Sequence, residues 1–238
     1  MTTPQRVALV TGASAGIGRA TALALGRAGY SVGVCARRPG PLADVIAELR
    51  AEGIDAAGQP CDVSDPDGVR ALVDHVESRL GPADVLVNNA GVGILKPFSE
   101  LTLEDWDTTF ASNVRSLFVV TQAVLSGMRQ RQRGFVINVS SLAGRNGFKG
   151  GTAYAASKHA VLGFSSSLLA EVRHDGVRVL TVCPGSVDTD LRRDQHLLGE
   201  MPPERMLRSE DVAAVIIDAL SLPDRALVSE LDIRPAAP

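Results

Sequence analysis

Arg6-Val7-Ala8-Leu9-Val10-Thr11-Gly12-Ala13-Ser14-Ala15-Gly16-Ile17-Gly18 decides the fold. Its first six residues read as a buried strand, because the run is apolar without alternation. Gly16 to Ala28 reads as the helix that follows. Gly12, Gly16 and Gly18 fall between the two. Glycine there permits a tight turn and lets backbone N–H groups come close to a pyrophosphate. The helix N-terminus adds partial positive charge at the same place. The stretch therefore predicts a βα unit that opens a dinucleotide site, with Gly12, Ser14, Gly16, Ile17 and Gly18 as its contacts.

Working outward, the same alternation continues to the far end of the chain. Ser31–Ala36 reads as a second strand and Asp55–Cys61 as a weaker third, with Asp84–Asn88 the fourth. Phe135–Ser140, Arg178–Cys183 and Ala226–Ile233 supply the fifth to seventh. Pro41–Ala51 has helical spacing, and Ser64 is placed to cap a helix through Leu80. Glu104–Arg131, Thr152–Arg173 and Ser209–Leu220 read as further helices. Alternating βα units with near-continuous apolar strands imply a parallel sheet covered on both faces. Right-handed crossovers make it an α/β fold, a Rossmann-type doubly wound sheet of about seven strands. One domain over residues 1–238 is expected, with a long insertion after the sixth strand, about 186–208, as a substrate lid.

Composition narrows the classes. A chain of 238 residues with 45% hydrophobic residues can bury a sizeable core. Its net charge of −3 offers no basic field for nucleic acid. No apolar run is long enough to span a bilayer, so no membrane partner is expected. The N-terminal residues lead directly into the first strand without a signal-peptide pattern, which points to the cytoplasm. Cys35, Cys61 and Cys183 are isolated and read as small core residues of a reducing compartment. No CxxC and no His pair at ligand spacing accompanies them, so no metal site is expected. His75, His159, His174 and His196 do not cluster.

Chemistry enters at Tyr154-Ala155-Ala156-Ser157-Lys158. Tyr154 and Lys158 are four residues apart, so on a helix they share one face. An ammonium beside a phenol favours the phenolate, which would make Tyr154 an acid/base near neutral pH. Ser141 lies thirteen residues upstream, after the apolar run Phe135–Val139. With the TGxxxGxG turn, these residues resemble the classical short-chain dehydrogenase/reductase family, and the resemblance spans nearly the whole chain.

That resemblance implies an NADP(H)-dependent oxidoreductase that interconverts a ketone and a secondary alcohol. Asn113, Ser141, Tyr154 and Lys158 match the family's four catalytic positions. Tyr154 would protonate the carbonyl oxygen, Ser141 would hydrogen-bond it, and Lys158 would lower the tyrosine pKa and bind the nicotinamide ribose. Asn113 would kink its helix and hold a proton-relaying water. Ser140 competes with Ser141, but adjacent strand residues point opposite ways, and the family offset selects Ser141. Asp62 and Val63 resemble the adenine contact. Asn89, Ala90 and Gly91 resemble the element that passes beside the cofactor, with Asn89 bracing the sheet. Pro184, Gly185, Val187 and Thr189 resemble the segment facing the nicotinamide. Strand two ends in Arg37 with no acid, which favours a 2′-phosphate and hence NADP(H) over NAD(H).

The expected pocket wall joins Gly93, Ile94, Leu142, Phe148, Ser186, Leu191 and Leu198, with no strongly placed charge, so an apolar ketone is favoured. An alternative is a 3-oxoacyl-acyl-carrier-protein reductase, with Arg129, Arg131, Arg133 and Arg173 as a basic patch; a non-catalytic nucleotide-binding regulator is a third reading. In the family, the helices matching Asn113–Arg131 and Thr152–Arg173 pair with a symmetry mate. Ala153, Ala156, Ala160, Phe164 and Leu168 would form that face, and a homotetramer is expected.

Overall fold

The computed structural model describes residues 5–193, 201–223 and 225–236. Seven parallel strands form one sheet. In chain order they are β1 (Val7–Thr11), β2 (Ser31–Ala36), β3 (Ala56–Pro60), β4 (Val85–Asn88), β5 (Gly134–Val139), β6 (Val177–Pro184) and β7 (Glu230–Ile233). Their order across the sheet is β3-β2-β1-β4-β5-β6-β7. The order reverses between β1 and β4, so a crevice opens at their carboxyl ends.

Apolar residues on both faces of each strand call for two covering layers. Ala8 and Val10 of β1 join Leu25 of helix α1 (Gly16–Arg27), Leu49 of α2 (Pro39–Ala51) and Ile216 of the last helix (Ser209–Ser221). Val7 and Leu9 join Leu72 of α3 (Pro66–Leu80), Val120 of a helix over Ser116–Gln130, and Val172 of another over Thr152–Val172. The doubly wound α/β sheet read from the sequence is the fold observed.

Local boundaries differ where capping decides them. Asp65, not Ser64, caps α3, accepting from the N–H groups of Asp67 and Gly68 at 3.2 Å each. Pro66 has no N–H and fits the first helical position, which puts the cap one residue later than read. Ser64 instead donates its hydroxyl to Asp62, at 2.7 Å. The helix read over Glu104–Arg131 is three pieces. They are α4 (Leu103–Phe110), a π-helical turn (Ala111–Arg115) and α5 (Ser116–Gln130).

A buried polar chain ties α5 and α6 (Thr152–Val172) to the sheet. Asn88 Nδ2 donates to Thr121 Oγ1 at 3.0 Å and to Asn138 Oδ1 at 2.9 Å. Asn138 Nδ2 donates to Ser165 Oγ at 2.8 Å. Both asparagines are buried, so these bonds are costly to lose. At the amino-terminal end of the sheet, Arg133 pairs with Asp84 at 2.7 Å and Arg129 with Asp175 at 2.7 Å. Arg131 donates to the Ala83 carbonyl at 2.7 Å.

Part of the expected assembly face is used within the chain. Ala153 and Leu168 are buried, and Phe164 packs against the same core. Phe118 on α5, by contrast, is 51% exposed. Among the described residues no helix is long and apolar enough to cross a membrane.

Candidate active site

The turn after β1 is set by close backbone packing. Gly12 has φ +65°, and a Cβ there would sit 2.8 Å from Ala90 Cα. A Cβ on Gly18 would lie 2.3 Å from the Gly12 carbonyl oxygen, so α1 passes directly under the turn. Asn89 Nδ2 donates to the carbonyls of Thr11 and Gly12, at 3.0 and 3.2 Å. Thr11 Oγ1 accepts from the N–H groups of Asn89 and Ala90, both at 3.1 Å. Asn89 thus braces the turn itself, while Asn88 braces the middle of the sheet.

A cavity of about 700 Å³ lies over this turn, within the usual range for a ligand site. Gly12, Ser14, Gly16 and Ile17 floor it beside Asn89, Ala90 and Gly91. Arg37, Asp62 and Val63 border it, as do Tyr154, Lys158 and Thr189. No side chain caps the N-terminus of α1, where Ala15 stands, so the helix end keeps its attraction for an anion. Asp62 is held below the usual carboxylate range, first by its bonds from Ser64 and also by the charge of Arg37. A cradle that a single Cβ would obstruct, an uncapped helix end and an exposed arginine fit a dinucleotide carrying a 2′-phosphate.

A second cavity, about 340 Å³, adjoins the first. Tyr154 and Thr189 border both. Pro184, Gly185 and Val187 line this second cavity and not the first. Gly18 lines neither of them; it supports the turn from below.

Ser141 follows β5 and opens a 3₁₀ turn, Leu142–Gly144. Its Oγ accepts from Ala143 N–H at 3.1 Å and donates to the Pro184 carbonyl at 3.5 Å. Ser140 is turned the other way: its buried hydroxyl donates to the Lys158 carbonyl at 3.0 Å. Lys158 is buried, its Nζ donates to the Val139 carbonyl at 3.0 Å, and Nζ stands 5.8 Å from the centre of the Tyr154 ring.

The acid–base balance differs from the sequence reading. Burial pushes the Tyr154 phenol up, and Ser141 pulls it part of the way back. Burial also brings Lys158 down from 10.5 to about 8. An ammonium beside a phenol was expected to lower the tyrosine, but here desolvation is the larger effect on both groups.

Asn113 lies in the π-helical turn and is buried. Its Oδ1 accepts from Val92 N–H at 2.8 Å, and its Nδ2 donates to Val92 O at 3.0 Å and Ser157 Oγ at 2.9 Å. Ser157 Oγ in turn donates to the Tyr154 carbonyl at 2.7 Å. Ser157 is the positioning residue the sequence reading passed over, although it stands inside the quoted motif.

The expected pocket wall is met in part. Leu142, Phe148, Ser186 and Leu191 line the second cavity; Gly93 and Ile94 line neither cavity. Leu198 and His196 lie outside the described residues. The reading of a wall without charge is corrected by Arg192, a buried arginine that lines the same cavity. Its direction depends on a four-residue helix, α7 (Asp190–Arg193), which leaves no periodic signal.

His159 is exposed, with Nδ1 2.8 Å from the Ala155 carbonyl. The three cysteines are free and buried, and burial pushes their thiols up to about 12 at Cys35 and about 11 at Cys61 and Cys183. Among the described residues no group of three or more His, Cys, Asp or Glu could hold a metal ion.

The short chain dehydrogenase family model matches residues 6–197. A 3-oxoacyl-acyl-carrier-protein reductase of Pseudomonas aeruginosa is 39% identical over 219 residues, 89% of this chain and 88% of the relative. An actinorhodin polyketide ketoreductase solved with NADPH superposes with TM-score 0.92 at 34% identity, over 99% of this chain and 98% of that one. A metagenomic short-chain oxidoreductase in complex with NADP gives TM-score 0.84 at 37% identity, covering 97% of each chain.

Lys158 generates a pH prediction. Between about 8 and 10.5 the folded protein binds fewer protons at this lysine than the unfolded chain. Stability therefore rises with pH across that window, by about 1 kcal/mol per pH unit relative to a variant without the group. Urea denaturation of wild type and Lys158→Met at pH 8 and pH 10 should show the wild type gaining on the variant; parallel profiles would contradict the shift.

Proposed function

We propose that this chain, which belongs to the short chain dehydrogenase family, reduces a ketone to a secondary alcohol with NADPH, or runs the reverse reaction with NADP⁺. The observation that carries the reading is Tyr154, which borders both the dinucleotide cavity and the second one, whose wall Ser141 shares. Bound NADPH supplies the hydride. Tyr154 delivers a proton to the carbonyl oxygen as negative charge develops there. Ser141 hydrogen-bonds the same oxygen and stabilises that charge. Lys158 places a partly charged amine one helical turn from the phenol. Asn113, through Ser157, fixes the helix end that carries Tyr154. In the oxidising direction Tyr154 takes the proton.

A second reading is a carrier-bound 3-oxoacyl substrate, favoured by the name of the Pseudomonas aeruginosa relative. Arg129, Arg131 and Arg133 bear on it less than the sequence suggested, because each is engaged within this chain. They also lie at the end of β5 opposite Ser141. Residues 186–208 act as the lid in this reading, and three buried free thiols suit a reducing compartment, the cytoplasm.

Tyr154→Phe removes the proton donor and leaves the cavity intact. A panel of ketones with NADPH should show kcat reduced on the order of 10²–10⁴-fold, with NADPH binding retained. A kcat close to wild type would end the assignment.

Arg37 carries the cofactor preference. Wild type should show higher kcat/KM with NADPH than with NADH, and Arg37→Asp should move the balance toward NADH, since a carboxylate repels a 2′-phosphate. An unchanged ratio would remove Arg37 from the site.

A homotetramer would cover Phe118, Phe98 and Leu103, which are 51%, 75% and 75% exposed. Light scattering at micromolar concentration should give about four times the 25.0 kDa of one chain. A mass of one chain would defeat the assembly.

A further inference from the structure

We propose that Arg145 is a positioning residue for the reaction: it clamps the turn that carries Ser141 to the edge strand β7, and so holds the Ser141 hydroxyl in place beside the substrate oxygen. This rests on the ketone-reductase reading above. Arg145 closes the 3₁₀ turn Leu142–Gly144 that Ser141 opens. Gly144 N–H donates to Ser141 O and Arg145 N–H to Leu142 O, both at 2.9 Å. These residues form one hydrogen-bonded unit, and what holds Arg145 also holds Ser141.

The Arg145 side chain reaches the far end of the chain. Its guanidinium pairs with Glu230 at 2.5 Å and with Asp232 at 3.3 Å. Glu230 and Asp232 stand two residues apart on β7, so they share one face of that strand. Leu231 and Ile233 alternate with them and pack against the core. Arg234 also pairs with Asp232, at 3.3 Å, so two cations meet two carboxylates.

The same strand holds a second part of the cavity wall. Ile233 O accepts from Gly185 N–H at 2.8 Å, and Gly185 lines the second cavity with Ser141 and Leu142. The two parts of the wall touch, since Ser141 Oγ donates to Pro184 O and a Cβ on Gly185 would fall 3.2 Å from Leu142. On its other flank the turn rests on α6: a Cβ on Gly144 would lie 2.8 Å from the Lys158 carbonyl oxygen. Close packing of that kind resists movement toward α6 but not away from it. The ion pairs to β7 supply the missing restraint.

The Arg145, Glu230 and Asp232 side chains are each about a third exposed, so these pairs add little to global stability. What two carboxylates on one planar guanidinium do fix is direction. A displacement of Ser141 too small to unfold the protein still costs rate, because its hydroxyl must meet the oxygen on which charge develops.

A double-mutant cycle tests this, with NADPH and a ketone that wild type reduces. Arg145→Met should lower kcat about threefold to thirtyfold, less than the roughly 10²–10³-fold cost of removing an oxyanion donor outright, with the Kd for NADPH unchanged. Arg145→Lys should recover part of the loss. In a Ser141→Ala background, Arg145→Met should cost nothing further, because the group it positions is gone. Glu230→Gln with Asp232→Asn releases the clamp from the strand side, and should give the same loss and the same disappearance of that loss in Ser141→Ala. A residue that only stabilises the fold costs the same factor in both backgrounds; that result, or a wild-type kcat in Arg145→Met, would overturn the proposal.

If wild type reduces no ketone, the ketone reading fails on its own, and amide hydrogen exchange decides for Arg145. The N–H groups of Gly144 and Asn146, bonded to Ser141 O and Leu142 O, should exchange several times faster in Arg145→Met than in wild type, with β5 and α6 unchanged. Equal exchange at the turn in the two proteins would overturn the clamp.

Discussion

Everything at the site depends on how the ends of β1 and β4 are held where the sheet order reverses. The chain leaves the two strands for opposite faces of the sheet, so no helix fills the crevice between them. Thr11 and Asn89 close that gap with four hydrogen bonds that join the two strand ends. At about 1 kcal/mol net each, such bonds fix position more than they add stability. The position is what the glycines need, since Gly12 stands against Ala90 and Gly18 against Gly12.

On the other side of the crevice the governing term is desolvation. Lys158 is buried, its amine donates to the Val139 carbonyl, and its charge is disfavoured by the loss of water. A lysine near 8 changes charge close to neutral pH, as does no ordinary lysine. The fold sustains this cost because α6 is anchored elsewhere. Asn138 ties it through Ser165, Asn113 through Ser157, and Ser140 through the Lys158 carbonyl. The helix cannot rotate to let the amine reach water without breaking all three.

The parts legible in sequence are those with short-range signals. Apolar runs gave the strands, glycine spacing gave the turn, and the four-residue step gave the shared face of Tyr154 and Lys158. The parts that were not legible depend on distant partners. Nothing near Asn88 or Asn138 announces that they meet across two strands and bond onward to Thr121 and Ser165. The π-helical turn at Asn113 is local, but its cause is not: Val92, 21 residues away, takes both ends of the amide. The direction of the Tyr154 shift required burial, which the motif does not encode. The cap read at Ser64 falls instead on Asp65, because Pro66 takes the first helical position. Arg129 and Arg133 resembled a docking patch until Asp175 and Asp84 were seen to meet them.

The segment leaving β6 joins the two cavities into one device. Thr189 and Leu191 border both of them, while Arg192 borders only the second. The segment is bridged to Leu207 through Val187, so its two flanks move together. In the proposed reaction, the acid–base residues and the wall of the second cavity therefore stand on different parts of the fold. Tyr154 and Lys158 stand on α6 and Ser141 just after β5, and both elements are multiply anchored. Leu191 and Arg192, which line the second cavity, stand on an insertion outside the sheet, where sequence can change without disturbing the strands. Tyr154 and the glycine turn stay where the crevice holds them.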